Sequence, residues 1–444
     1  MKKGDYLTIA VLDCLNGFSD NTGSVTISIT SAPTITITDA RMISPGELGI
    51  GAVVTYPKDC TQGAATTIAI SGTVDGNPIQ KTIIVPDSVI PGGQWGTQVS
   101  VDQYGRVLST TPLRINLADQ NVPRFTKDVT FTVTATASCK PGIKSGPSKH
   151  SGSILLPVLI IHGVETEWWH PLATPAVYLV LTSALESKGY SSRSDTSGDY
   201  KTLWTVKEIT YSSKEDTANG VAAKMIGYIN KATSRTYAAK VNLIGHSLGG
   251  LIGRFVTTEY EAKRSGGPRI HKLIMIGTPN NGSASYYKIA FSGTREDITS
   301  QLRTTAGKPN LKQWLSPGYP KSLFLSNDNS VIEIKNPDEK LSTNLFTNRF
   351  KASGYDKPQP EGVTYYSIFN TQLTTLTSVT VKPFPGWYTS PKDRSIEGGD
   401  GTVIARSARM MNSINKPVAI NADHVTMMSN QVVINKVFQC LNTT

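Results

Sequence analysis

Gly245-His246-Ser247-Leu248-Gly249 places a serine between two glycines at a spacing that suits nucleophilic catalysis. A serine hydroxyl is a weak nucleophile until a base takes its proton, so it must stand at a sharp turn within reach of a histidine from elsewhere in the chain. The apolar run Val241, Leu243, Ile244 before it reads as a strand, and Leu251, Ile252, Phe255 and Val256 after it recur at helical spacing. Strand, tight turn and helix together make a nucleophile elbow, with Ser247 expected at positive φ. The residues two before and two after must then lack a Cβ, or strand and helix could not approach. Gly250 and Gly253 extend the small face of the helix.

A base and an acid should follow the serine in the chain. Of the six histidines only His271 and His424 do so. His271 opens a strand 24 residues past the serine with no acid motif between, whereas His424 lies between the last strand and the last helix; His424 is the predicted base. Asp297, Asp328, Asp338, Asp356, Asp393, Asp400 and Asp423 lie between serine and base. Asp423 adjoins His424, and neighbouring side chains diverge. Asp400, in the glycine turn Gly398-Gly399-Asp400-Gly401-Thr402-Val403, is the predicted acid, because it can hold one imidazole tautomer and offset the imidazolium that forms. The other use of such an aspartate is as a turn or calcium ligand. Stabilising the tetrahedral anion needs two backbone N–H groups. Leu248 is expected to give one, and Val164, in the loop Leu159-Ile160-Ile161-His162-Gly163-Val164, the other, with Gly163 letting substrate come close.

These residues need a frame. From 22 to about 138 the chain runs in short alternating segments such as Thr34-Ile35-Thr36-Ile37-Thr38 and Val129-Thr130-Phe131-Thr132-Val133-Thr134, separated by Gly, Pro, Asp and Asn. That pattern predicts antiparallel strands with one buried face, and an all-β immunoglobulin-like sandwich over residues 1–139. Residues 140–153, rich in Gly, Pro, Ser and Lys, read as a linker. From 154 to 444 strands and helices alternate, which predicts a mostly parallel sheet covered on both faces. Expected strands are Ile154–Ile161, Trp204–Tyr211, Ile270–Ile276, Val363–Asn370 and Pro417–Asn421, besides the elbow strand. Expected helices are Ala173–Gly189, Asn219–Thr233 and Val425–Leu441, besides the elbow helix. The stretch at about 283–362 lacks regular strand signal but carries Leu311, Trp314, Leu323, Phe324, Leu325 and Phe346, and reads as an inserted cap or lid.

A length of 444 residues allows two or three domains. Few residues are charged, at 17%, and the composition is that of a secreted or periplasmic protein. Met1-Lys2-Lys3 and the following apolar stretch have the length of a signal peptide, but Asp5 and Asp13 interrupt it. The chain is therefore expected to be a mature form with its export signal absent. Cys14, Cys60, Cys139 and Cys440 have neither Cys-x-x-Cys pairing nor His at ligand spacing, which argues for disulfides over zinc. Cys60 with Cys139 is the favoured pair. No apolar run approaches the ~18 to 20 residues that cross a bilayer. Net charge is +11, and residues 151–444 carry 32 Lys and Arg against 22 Asp and Glu. That basic part could meet an anionic lipid surface or polymer, and nothing in it has a nucleic-acid-binding pattern.

His162-Gly163, Gly245-His246-Ser247-Leu248-Gly249-Gly250, Gly277-Thr278-Pro279-Asn280-Asn281-Gly282-Ser283 and Gly399-Asp400-Gly401-Thr402-Val403 stand in the order seen in bacterial lipases. Over residues 154–441 the chain resembles those enzymes and the related lecithin:cholesterol acyltransferase-like proteins. Asn280 stands where many such lipases have His, and Ile404 where Pro is usual. The resemblance implies an α/β hydrolase fold with a cap or lid, and a serine ester hydrolase with the triad Ser247, Asp400 and His424. It needs no cofactor or metal and acts on lipid or other apolar esters. A phospholipase, an acyltransferase or a polyester hydrolase would use the same triad, and a binding or adhesion protein with a vestigial hydrolase is the rival of another class.

Overall fold

Alternation of threonine with isoleucine makes the first described segment a strand. The computed structural model describes residues 32, 34–44, 46–55, 65–74, 77–86, 100–101, 107–109, 113–119, 121–140, 143–163, 174–190, 207–208, 218–283, 333–335, 358–382, 388–390, 396–410 and 412–443. The amino-terminal strands are Thr34–Ser44 (β1), Glu47–Thr55 (β2), Ala65–Val74 (β3), Asn77–Pro86 (β4), Ser100–Val101 (β5), Val107–Ser109 (β6), Leu113–Asn116 (β7), Val129–Lys140 (β8), Ile143–Lys144 (β9) and Ser148–Ile154 (β10). One antiparallel sheet has the order β1-β2-β7 and a second β10-β8-β3-β4, with β9 against β8; β5 and β6 pair with each other. Ile35, Ile37, Leu48 and Ile50 from the first sheet share one buried core with Val129, Phe131, Val133, Ala135 and Ile154 from the second.

Residues 143–144 and 148–153, expected within a linker, are instead strand. β10 runs antiparallel to β8 from Ser148 opposite Ala135 to Ile154 opposite Val129. Its polar, small composition mimics a linker, but Gly152 lies under the Phe131 ring, where a Cβ could not fit, and Ser148 Oγ accepts the Ile37 N–H at 2.9 Å. The expected strand Ile154–Ile161 is thereby split. Ile154 ends β10, and Val158–Ile161 (β11) begins the next sheet after Pro157.

The two parts are also joined away from this crossing. Phe125 bridges to Ala238: its N–H donates to Tyr237 O at 3.2 Å, and its carbonyl accepts from Ala239 N–H at 2.6 Å. Arg124 donates to the carbonyls of Thr233 and Ala238, and Tyr237 Oη donates to Val122 O at 2.8 Å. Ala238 and Leu156 belong to the amino-terminal core.

Beyond β11 the chain gives Thr174–Glu186 (α1), Lys207–Glu208 (β12), Ala218–Thr236 (α2), Val241–His246 (β13), Leu248–Glu259 (α3), Ile270–Ile276 (β14), Glu333–Lys335 (β15), Thr364–Asn370 (β16), Leu373–Leu376 (β17), Ser378–Lys382 (β18), Tyr388–Ser390 (β19), Ile396–Gly399 (β20), Ala405–Ala408 (α4), Ile414–Val418 (β21) and Gln431–Asn442 (α5). β12-β11-β13-β14-β16-β21 form a six-stranded sheet in which every pairing is parallel. Its inner strands β11, β13, β14 and β16 are buried almost throughout because helices cover both faces. Leu159 and Ile161 pack with α2 and α3 on one side, and Val158 and Ile160 with α1 and α5 on the other. This is the α/β hydrolase architecture.

The last strand begins at Ile414, earlier than expected, and the expected helix Val425–Leu441 is two elements, a 3-10 turn Thr426–Ser429 and α5. Asn430 separates them and caps α5 by accepting the Val432 N–H at 2.9 Å. The cap or lid expected at 283–362 falls outside the described residues except for Ser283, β15 and 358–362, and Cys14 and Cys60 lie outside them too. Cys440 is buried on α5 and has no disulfide partner among the described residues.

Candidate active site

The elbow is built by close packing. β13 is buried along its whole length and delivers Ser247 at φ 54° and ψ −123°, the positive φ expected of the turn. Only 3% of Ser247 is exposed, and its N–H donates to Ile276 O at 2.9 Å. A Cβ on Gly245 would lie 2.5 Å from the Gly250 backbone, and one on Gly249 would overlap the Ile161 carbonyl. One on Gly250 would overlap Thr278. Strand β13, helix α3 and the end of β11 therefore meet with no room for a side chain. A non-glycine residue at positive φ is strained, and packing on every side keeps Ser247 there.

Asp400 and His424 arrive from loops 153 and 177 residues downstream. His424 Nε2 lies 2.8 Å from Ser247 Oγ, and its Nδ1 lies 2.7 Å from Asp400 Oδ2. Asp400 Oδ1 accepts the N–H groups of Thr402 at 3.0 Å and Val403 at 2.7 Å, which aims Oδ2 at the imidazole. Because a carboxylate only accepts, Nδ1 carries the proton and Nε2 is free to accept the serine hydroxyl. The acid turn is fastened by the Gly401 N–H donating to Thr375 Oγ1 at 2.8 Å. The base loop is fastened by Asn370 at the end of β16, whose Nδ2 donates to Ile420 O and Ala422 O, each at 3.0 Å. The structure thus brings together the three side chains singled out from sequence.

The family model for palmitoyl protein thioesterases matches residues 157–327. Over 69 residues the chain is 36% identical to triacylglycerol lipases of Pseudarthrobacter phenanthrenivorans and Burkholderia plantarii. That segment is 16% of this chain and 20% and 18% of the two relatives, so the chain spans about a fifth of the length of the curated relatives it matches. The chain contains a domain of lipase-like α/β hydrolase fold. Among solved structures, the Bacillus licheniformis lipase BlEst2 in mature form aligns over 65% of this chain and 92% of its own, at 13% identity and a TM-score of 0.34.

Leu248 opens α3, where the first N–H groups have no intrahelical acceptor. The second expected oxyanion donor, Val164, lies outside the described residues. Gly163 just before it sits against the nucleophile, since a Cβ there would be 3.0 Å from Ser247 Cβ. Asp423, set aside as the acid, instead caps the 3-10 turn, its Oδ1 accepting from Val425 N–H at 2.9 Å and Thr426 N–H at 2.8 Å. His271 sits on β14 opposite the start of β13, at the other end of the sheet from Ser247.

Several residues that build the site are not singled out by sequence reasoning. Gly277, at φ 55°, faces both Asp400 and His424, and a Cβ there would lie 3.0 Å from Asp400 Oδ2 and 3.2 Å from His424 Cε1. Its place in the Gly277-Thr278-Pro279 motif was the available signal. Asn370 and Thr375 gave none, since their partners are backbone groups of distant loops. His246 and His162 are buried beside Ser247. Burial pushes the His246 pKa down to about 3, with His424 nearby adding to the fall, and burial alone carries His162 down to about 4.

Proposed function

We propose that this protein is a serine carboxylic ester hydrolase of lipase or esterase type, with Ser247 as nucleophile, His424 as base and Asp400 as orienting acid. The observation that carries the reading is the line of two hydrogen bonds from Ser247 Oγ through His424 to Asp400, at 2.8 and 2.7 Å. His424 Nε2 takes the serine proton as Oγ attacks the ester carbonyl, and Asp400 offsets the imidazolium. The Leu248 and Val164 N–H groups receive the tetrahedral anion. As it collapses, the bond to the alcohol oxygen breaks, and His424 gives its proton to the departing alcohol. Water, deprotonated by the same histidine, then releases the acid and restores Ser247. Apolar acyl esters are the substrate class, in keeping with the triacylglycerol lipases that share the 69-residue segment.

The match to the palmitoyl protein thioesterase model favours a second reading, in which the same triad cleaves a long-chain thioester. The sulfur leaves as a thiol, and the acyl-enzyme is identical. One experiment tests both: hydrolysis of p-nitrophenyl esters from C2 to C16, and of matched S-acyl thioesters, by the intact protein and by Ser247→Ala. Ester turnover that disappears in the variant supports the first reading, and preference for thioesters of the same chain length supports the second. Unchanged turnover in Ser247→Ala overturns both.

A further inference from the structure

Two buried side chains beside Ser247 take no part in that chemistry, yet they connect its pieces. His246 is 4% exposed, and its ring centroid lies 4.9 Å from that of His424. Its Nε2 is 2.8 Å from the carbonyl oxygen of His424, and its Nδ1 is 2.8 Å from Tyr178 Oη. Tyr178, on α1, in turn lies 3.2 Å from the Gly163 nitrogen.

Elementary chemistry sets the direction of each bond. A carbonyl only accepts, so His246 Nε2 carries a hydrogen. Burial keeps the ring neutral, so Nδ1 is bare and accepts the Tyr178 hydroxyl. The tyrosine oxygen then accepts the Gly163 N–H. An oriented chain runs from the turn beside the nucleophile, through α1 and the elbow, to the backbone of the base.

We propose that Tyr178 and His246 are positioning residues, forming a strut that holds the His424 backbone at a set distance from the Gly163 turn. This rests on the reading of His424 as the base. During turnover the Nε2 of His424 must exchange partners, from serine to leaving group to water, so that bond cannot hold the ring in place throughout. The bond from His246 to the His424 carbonyl is untouched by any step, and it keeps the imidazole aimed while protons move. Neutral His246 also avoids a second positive charge next to the imidazolium.

The test uses the full chain with Tyr178→Phe, His246→Leu, His246→Gln and the double variant Tyr178→Phe/His246→Leu. The assay is the best p-nitrophenyl ester of the series above, with thermal unfolding to confirm the fold. A displacement of ~1 Å at a reacting group costs on the order of 100-fold, so His246→Leu is expected to lower kcat by about 10- to 100-fold with KM within about twofold. His246→Gln, whose amide can still donate to the His424 carbonyl, recovers most of that loss. Tyr178→Phe lowers kcat by about tenfold, and the double variant is no worse than His246→Leu, because members of one chain are not additive. Wild-type kcat in His246→Leu, a Gln variant no better than Leu, or additive losses in the double variant would overturn the strut. If His246→Leu does not fold, Tyr178→Phe, which removes one oxygen, carries the test. Fluorophosphonate labelling of Ser247 and the Ser247→Ala control judge the hydrolase reading separately. Should that reading fail, the His424 Nδ1–H proton resonance still decides, broadening in Tyr178→Phe if the strut holds the loop and unchanged if it does not.

Discussion

Ser247 and His424 touch, yet the regions that present them are held by different forces. Residues 241–259 form one continuous strand, turn and helix, and the serine stays at positive φ because Gly245, Gly249 and Gly250 let three backbone segments close around it. The Asp400 turn is close-packed too, since a Cβ on Gly398 or Gly399 would meet the Thr371 or Val403 carbonyl, but the aim of its carboxylate and the His424 loop depend on hydrogen bonds. Asp400 is aimed by two backbone N–H groups, its turn by Thr375, and the His424 loop by Asn370 and the Asp423 cap. Close packing fails by unfolding, because a misplaced methyl has nowhere to go. A hydrogen-bonded loop fails by drifting, because lost bonds leave it near its place but poorly aimed. In the proposed mechanism His424 changes partners and the Ser247 backbone does not, which fits a rigid elbow opposite loops tied at several points.

The largest effect expected is from Ser247→Ala, which should remove on the order of 10⁶ in kcat without altering the melting temperature by more than a few degrees. Residual turnover near wild type would break the comparison at its centre. Asp400→Asn should cost on the order of 10⁴ in kcat. Its amide can still accept from Thr402 and Val403, but it then presents an N–H to His424 Nδ1 and stabilises the wrong tautomer. A pH–rate series that recovered full activity would contradict this role.

On the elbow side, Gly249→Ala should destabilise the fold by on the order of 3 kcal/mol, since the added Cβ meets the Ile161 and His162 carbonyls. Urea unfolding measures it, and a fully stable variant would show the elbow to be looser than its packing implies. On the loop side, Asn370→Ala removes the side-chain partners of backbone groups at Gln372, Ile420 and Ala422, while the Thr371 N–H keeps its bond to Val418 O. It should cost about 1–3 kcal/mol and lower kcat by about tenfold with little change in KM. A stability loss with unchanged kcat would mean the base loop is not aimed through Asn370.

The smallest effect concerns acid. His246 and His162 are held below their ordinary value of 6.5, at about 3 and about 4, so the unfolded chain binds more protons than the folded one in that window. Stability from keeping them neutral is fully present above pH 6.5 and is lost as the pH falls toward 4 and 3. The slope is up to about 1.4 kcal/mol per pH unit for each histidine. Urea midpoints at pH 7.5 and 5.5 read it directly, and midpoints that do not fall on acidification would exclude it for both.

How much of this was legible follows from where each constraint lies. The elbow was readable because its strand, turn and helix are contiguous and its glycines record a local steric need. Ser247, Asp400 and His424 could be singled out as candidates because the order serine, acid, base and the scarcity of histidines left few choices. Residues 143–144 and 148–153 read as linker because edge strands tolerate polar, small residues; only the ladder to β8 and the Phe131 ring over Gly152 make them strand. The break at Asn430 was hidden because apolar spacing continues across it, while the cap is a single side-chain oxygen.

The amino-acid sequence by itself determined the elbow, the two periodicities that separate the antiparallel sheets from the parallel one, and the residue types of the triad. Each depends on neighbours within a turn or two of chain. Only the tertiary structure decided that Gly277 must leave room for Asp400 and His424, that Asn370 ties the base loop, and that Tyr178 reaches His246. Those contacts join segments from about 50 to 150 residues apart, and nothing local in the chain marks a hydrogen bond to the backbone of a distant loop.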